Sequence, residues 1–237
     1  AAGRALLPEA RRLLQDAEAL RALALRAASG ESGQLSLAFV SSADYSVVPH
    51  ALREFRLAYP SVRLDLQEAT TDVQLELLAA GKLDLGILIP PLPEKLKNEL
   101  DYLPLMSEPL VLALPEGSAF TRLKGKIPLA RCADQPLIIF PRKLSPAFYD
   151  QILGCFRDAG LTPDIGQEAI QMQTIVGLVS AGMGMALVPQ SVSNLKRPGV
   201  EYRAFREHSP LVETGMAWRR DNDSPVLAAF LDLMRKN

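Results

Sequence analysis

The chain has 237 residues, 48% of them apolar, with 26 basic and 27 acidic side chains and a net charge of −1. That composition is ordinary for a globular protein, and the length suffices for one large domain or two small ones. It gives no support for strong phosphate binding by this chain alone, and no apolar run approaches the ~20 residues that cross a bilayer.

Residues 6–26 read as an amphipathic helix. Leu6, Leu7, Ala10, Leu13, Leu14, Ala17, Leu20 and Ala24 recur at three- and four-residue steps, with charged residues between them. Pro8 fits its first turn, and Ser29-Gly30-Glu31-Ser32-Gly33 reads as a flexible stop and linker. Such a helix has no core of its own, so a partner helix is expected to cover it. A pattern change follows. Strands are expected at 35–40, 62–68 and 83–89, with helices at 49–59 and 71–80 between them. Strand–helix alternation with short loops means parallel pairing and right-handed crossovers. After Pro90-Pro91-Leu92-Pro93, strands are expected at 100–105, 110–114 and 137–140, then a helix at 145–159. A helix at 174–181, a strand at 183–188 and a short helix at 189–195 come next. Strands at 200–205 and 212–218 and a helix at 224–234 complete the chain. The first and middle groups look like two similar α/β lobes.

Motifs for catalysis are missing. His50 and His208 stand in no metal-binding spacing, and there is no GxSxG, P-loop or HExxH. Gly182-Met183-Gly184 runs from a helix into a strand, the reverse of a nucleotide fingerprint, and reads as a helix stop with close packing. Cys132 and Cys155 lie in no CxxC, which argues against a disulfide framework or a zinc site and favours free thiols. No cofactor, no metal and no enzymatic activity are expected. The N-terminus has no signal-peptide core, and the expected location is the cytoplasm.

Open parallel sheets bind ligands beyond the carboxyl ends of their strands. Three polar spots fall there. Ser41-Ser42 follows the first strand and opens the next helical segment, whose free N–H groups attract anions. Thr70-Thr71 follows the second strand, and Thr71-Asp72-Val73-Gln74 also fits a T-x-x-Q capping box. Pro141-Arg142-Lys143-Leu144-Ser145-Pro146 offers two cations and a capping serine. Neutral hydroxyls backed by a cation suit a carboxylate held by hydrogen bonds, and no base is placed to activate a serine.

These residues also carry a resemblance. Ala2-Gly3-Arg4-Ala5-Leu6-Leu7-Pro8-Glu9-Ala10 resembles the start of the linker helix that follows the winged helix-turn-helix of LysR-type transcription regulators. Gly33–Phe39 resembles their first sensor strand. Pro49-His50-Ala51-Leu52-Arg53-Glu54-Phe55 with Tyr59-Pro60, the tract 78–87 (LAAGKLDLGI) and the tract 177–189 (GLVSAGMGMALVP) are similar to three further segments of the family. The resemblance covers essentially the whole chain. It implies an α/β fold like type 2 periplasmic binding proteins, with two Rossmann-like lobes joined by two crossing strands behind the linker helix. The implied division is 1–33 linker and dimerisation helix, 34–106 first lobe, 107–206 second lobe, and 207–237 return to the first. It implies a DNA-binding regulator, a homodimer or homotetramer, whose small-molecule effector sits between the lobes. The sequence is most similar to regulators that sense benzoate- or muconate-like acids. Their effector-holding serine falls on Ser42 and their threonine on Thr71, while 171–174, with Gln173, lies where the second lobe adds contacts. The more basic Phe140-Pro141-Arg142-Lys143 departs from that subgroup. The chain opens inside the linker helix, so DNA contact is expected through a helix-turn-helix head absent from this chain. The alternative readings are a periplasmic-type solute-binding protein for a small organic anion and an enzyme on the same fold.

Overall fold

A computed structural model describes residues 2–120 and 122–236. Helix α1 (Ala2–Ala28) stands apart from the rest. Leu6, Leu13, Leu14, Leu20 and Leu25 are each more than 60% exposed, so the helix does not fold back on its own chain. It begins earlier than the periodicity predicts. Pro8 therefore sits in its second turn and removes one N–H from the helical ladder. The linker is more ordered than its composition implies. Gly30, buried at φ 73°, seats directly on the Pro225 carbonyl, where a Cβ would come within 2.5 Å. The Glu31 N–H reaches back to the Arg26 carbonyl and closes the helix end.

The body begins with strand β1 (Ser32–Phe39), helix α2 (Val47–Ala58), strand β2 (Ser61–Glu68), helix α3 (Thr71–Ala79) and strand β3 (Leu85–Leu88). β1 pairs in parallel with β2 on one side and β3 on the other, as the alternating strand–helix pattern predicts. α2 and the C-terminal helix α6 (Pro225–Lys236) cover one face of this sheet, with the rings of Phe55 and Phe230 tilted against each other, centroids 5.0 Å apart, in one core with Leu35 and Leu37. α3 covers the other face, where Leu78, Leu83 and Leu88 pack with Ala38. Each such aliphatic side chain contributes about 1.5–3 kcal/mol on full burial.

Strand β4 (Leu100–Pro115) is one continuous 16-residue strand where the sequence suggests two. Pro109 marks no break, because it lies where the strand changes partners. Residues 100–109 pair antiparallel with β9 (Leu211–Arg219), and residues beyond Leu110 pair with β7 (Ala186–Pro189) and β8 (Val200–Arg203). The second lobe adds β5 (Leu137–Ile139), helix α4 (Pro146–Asp158), β6 (Ile165–Glu168) and helix α5 (Met172–Ser180). β5 pairs with β6 in parallel and bridges to Met185 beside β7.

Both lobes thus share one strand order. The first runs β2-β1-β3-β9-β4 and the second β6-β5-β7-β4-β8, with β4 and β9 crossing between them. β6 escapes sequence reading because all four of its residues are exposed and no alternation marks them. The tight join between β5 and β7 depends on Gly184 at φ 150°, where a Cβ would meet the Pro136 carbonyl at 2.1 Å. The close-packing role expected of the Gly-Met-Gly segment is the one it has.

Candidate functional site

The carboxyl ends of β1 and β2 face the starts of α4 and α5 across a narrow cavity of about 30 Å³, partly open to solvent. The first lobe contributes Ser41, Ser42, Thr70 and Thr71, and Ser145 answers from the second. Each sits there for a local reason. β1 ends at Phe39, and the chain turns through a short 3-10 segment, Ser41–Tyr45, whose first three residues are buried. β2 ends at Glu68, and Thr70 caps α3. Ser145 occupies the N-cap of α4, ahead of Pro146.

The hydroxyls differ in what they are free to do. Ser41 Oγ accepts the Met172 N–H at 3.2 Å, a hydrogen bond that spans the lobes. Thr71 Oγ1 exchanges hydrogen bonds of 3.3 and 3.4 Å with the Ile89 backbone. The capping box is therefore not formed. Thr71 is the first helical residue rather than the cap, and Gln74 is buried with its amide donating to the Ala69 and Ile87 carbonyls. Ser42, Thr70 and Ser145 have no hydroxyl partner among the described residues, and neither cap side chain satisfies its helix. Three hydroxyls thus face the cavity unpaired.

Apart from Gln171, the rest of the wall is apolar, with Phe140, Phe148, Ile170 and Met172 from the second lobe and Val40, Ala69 and Ile89 from the first. The two phenylalanines meet edge-on at 6.1 Å. The starts of α3, α4 and α5 all border this space, so the positive ends of three helix dipoles converge on it. No ionisable side chain among the described residues lines it. The arrangement suits a small ligand with one anionic end and an apolar body.

Three residues expected at the site lie elsewhere. Arg142 points away and pairs with Asp150 on the surface of α4, at 3.0 and 3.1 Å. That contact raises the Arg142 pKa and lowers that of Asp150. Its cause is geometric: the loop turns at residues 141–144, so only Ser145 faces inward. Lys143 borders a neighbouring groove with Pro91 and Leu144. Gln173 lies just outside the cavity, where its Oε1 accepts the Tyr45 hydroxyl at 3.0 Å. Burial, then Asp44, raises the Tyr45 pKa to about 12. Glu68 is also raised, by burial and then Asp44, while a hydrogen bond from Gln173 works in the opposite direction.

Sequence reasoning passed over the apolar wall at Phe148 and Ile170, and over Tyr45 and Asn194, whose side-chain amide donates to the Tyr45 carbonyl at 2.8 Å. The position of Phe148 one turn into α4, on the same face as Ser145, is a signal that could have found it. Nothing in the sequence marks Asn194. Cys132 and Cys155 are free and buried, with thiol pKa values pushed up to about 11, chiefly by burial.

The LysR substrate binding domain family matches residues 28–237. The chain is 45% identical over 237 residues to the HTH-type transcriptional regulator IlvR of Caulobacter vibrioides, covering all of this chain and 79% of that protein. The solved structure of CbnR, a LysR family transcriptional regulator, superposes with a TM-score of 0.84 at 29% identity, over 99% of this chain and 80% of that one. The effector binding domain of BenM, solved with its effector benzoate, shares the fold at a TM-score of 0.72 and 24% identity, over 86% of this chain and 90% of that one. With the two-lobed topology and the crossing strands, these matches establish that the chain belongs to the LysR family of transcriptional regulators and carries its effector-binding domain.

Proposed function

We propose that the cavity binds a small carboxylate, aromatic or muconate-like, and releases it unchanged. The observation that carries this reading is the set of unpaired hydroxyls on Ser42, Thr70 and Ser145 where three helices begin. These hydroxyls have no protein partner, so each is free to donate to an anion, and a hydrogen bond to a charged group is among the stronger ones. Helix starts favour negative charge without a lysine or arginine in the wall. Phe140, Phe148 and Met172 give the hydrocarbon body an apolar seat. The benzoate held by the BenM domain is a ligand of this chemistry.

The ligand favours closed lobes and so shifts a pre-existing open–closed equilibrium by its difference in affinity for the two states. α1 pairs with α1 of a second copy, and lobe closure changes how the copies sit. DNA is contacted through a helix-turn-helix head of the longer protein. The described residues include no helix long and apolar enough to cross a membrane.

Thermal-shift titration with benzoate and cis,cis-muconate tests the reading, because a ligand preferring the native state raises Tm by mass action. Ser42→Ala is expected to weaken binding by on the order of 1–2 kcal/mol, the worth of one hydrogen bond to a charged group. Arg142→Ala, remote from the cavity, leaves affinity unchanged. Equal affinities in wild type and Ser42→Ala, or a loss confined to Arg142→Ala, would reject the pocket assignment.

A further inference from the structure

The segment Ser41–Tyr45 has two jobs. Its first residues line the cavity, and its last is gripped by the opposite lobe. The Tyr45 hydroxyl donates to Gln173 Oε1 at 3.0 Å, and the Tyr45 carbonyl accepts the Asn194 amide at 2.8 Å. The Met172 N–H adds the bond to Ser41 Oγ. Gln173 and Asn194 thus hold one first-lobe residue from two separate second-lobe segments. All of them cluster on one short turn.

We infer that Tyr45, Gln173 and Asn194 form a clamp that holds the two lobes together, and that they set effector affinity without touching the effector. They are positioning residues. Asn194 sits on the 3-10 segment Gln190–Leu195, which the buried Glu108 fixes to the crossing strand by accepting both the N–H and the hydroxyl of Ser191. The clamp is therefore anchored to the strand about which the lobes move. The apparent dissociation constant of any ligand that needs the closed form is its intrinsic value divided by the closed fraction. Removing a clamp bond lowers the closed-to-open ratio by roughly 2- to 10-fold, the range expected for a single net hydrogen bond.

The inference has two consequences, and only the second rests on the carboxylate reading. The first is read without ligand. Cysteines introduced by Glu76→Cys and Arg157→Cys, on exposed turns of α3 and α4, carry spin labels on the two lobes. Labelled protein is diluted into excess unlabelled protein, so that only distances within one chain are measured. Tyr45→Phe, Gln173→Ala and Asn194→Ala are each expected to move population from the shorter to the longer inter-lobe distance. Tyr45→Phe removes one hydroxyl from a partly exposed site, so folding is retained and thermal unfolding checks it. An unchanged distance distribution in all three variants overturns the inference. The second consequence concerns affinity. A clamp variant weakens benzoate and cis,cis-muconate by the same factor, because the closing free energy belongs to the protein. Ser42→Ala acts on each acid to a different extent. Unequal losses in the clamp variants would make Gln173 or Tyr45 a direct ligand contact and overturn the clamp. If neither acid binds, the carboxylate reading fails and the distance measurement still decides the clamp.

Discussion

Replacing Leu13 and Leu20 of α1 by glutamine should dissociate the protein without unfolding it. The two leucines occupy equivalent positions one heptad apart, with Ala10, Ala17 and Ala24 at the alternate seam positions. They are 69% and 66% exposed, so the body of the protein gains almost nothing from them. In a pair of copies, four such side chains each have about two-thirds of their surface left to bury. At about 2 kcal/mol for a full leucine, the pair loses about 5 kcal/mol, a 10³- to 10⁴-fold weaker association. Glutamine keeps nearly the same helix propensity, so helix content should hold. The assay is sedimentation velocity across a concentration series, with thermal unfolding of the same samples as the control. Wild type should associate at low micromolar concentration and the double variant should not, and unfolding of the isolated body should differ by less than about 0.5 kcal/mol. An association constant unchanged by the double substitution would show that α1 does not join the copies, and a large loss of stability would show that it packs on its own body.

Two further outcomes follow from single residues. Gly184→Ala forces a Cβ to within 2.1 Å of the Pro136 carbonyl at φ 150°, so it should cost about 3 kcal/mol or more in a urea melt; a loss under about 1 kcal/mol would mean that the join between β5 and β7 gives easily. Burial raises the Glu108 pKa despite its two hydrogen bonds from Ser191. The folded state then holds its proton at a pH where the unfolded chain has released it. Stability from this group should be greatest below the unfolded pKa and decline as pH rises through the folded value. Glu108→Gln should flatten that part of the stability–pH curve, and a slope identical to wild type would assign the dependence to other groups.

Much of the fold was legible because its signals are local. The apolar stripe of α1, the strand–helix alternation through residue 89 and the glycine stops each fix an element from a dozen neighbouring residues. The failures share another cause. Pro109 reads as a break between two strands, yet β4 continues through it, because its partners change there and no ladder bond is needed from that residue. β6 is an exposed edge visible only through β5. Site reading divided in the same way. Ser41, Ser42, Thr70, Thr71 and Ser145 follow strand ends or open helices, so topology alone brings them to one cavity. Arg142 and Lys143 belong to the same loop, but a loop's composition does not say which of its side chains turns inward. Gln173, expected among the pocket contacts, lies outside the cavity and pairs with Tyr45, 128 residues away, a contact no local pattern marks.

The placement of charge explains how such a cavity could serve a sensor. A lysine in the wall would attract anions strongly but would itself need a partner whenever the cavity was empty. Here the first lobe offers hydroxyls and helix starts, which lose little when unliganded because water can serve them. The nearby carboxylates, Asp44 and Glu68, lie outside the cavity lining. Occupancy and closure are thereby separated. On the proposed reading, the cavity residues decide which molecule binds and the rim decides how much of the protein is closed. A regulator built this way can change its threshold by substitution at Tyr45, Gln173 or Asn194 while Ser42, Thr70 and Ser145 keep the chemistry of recognition.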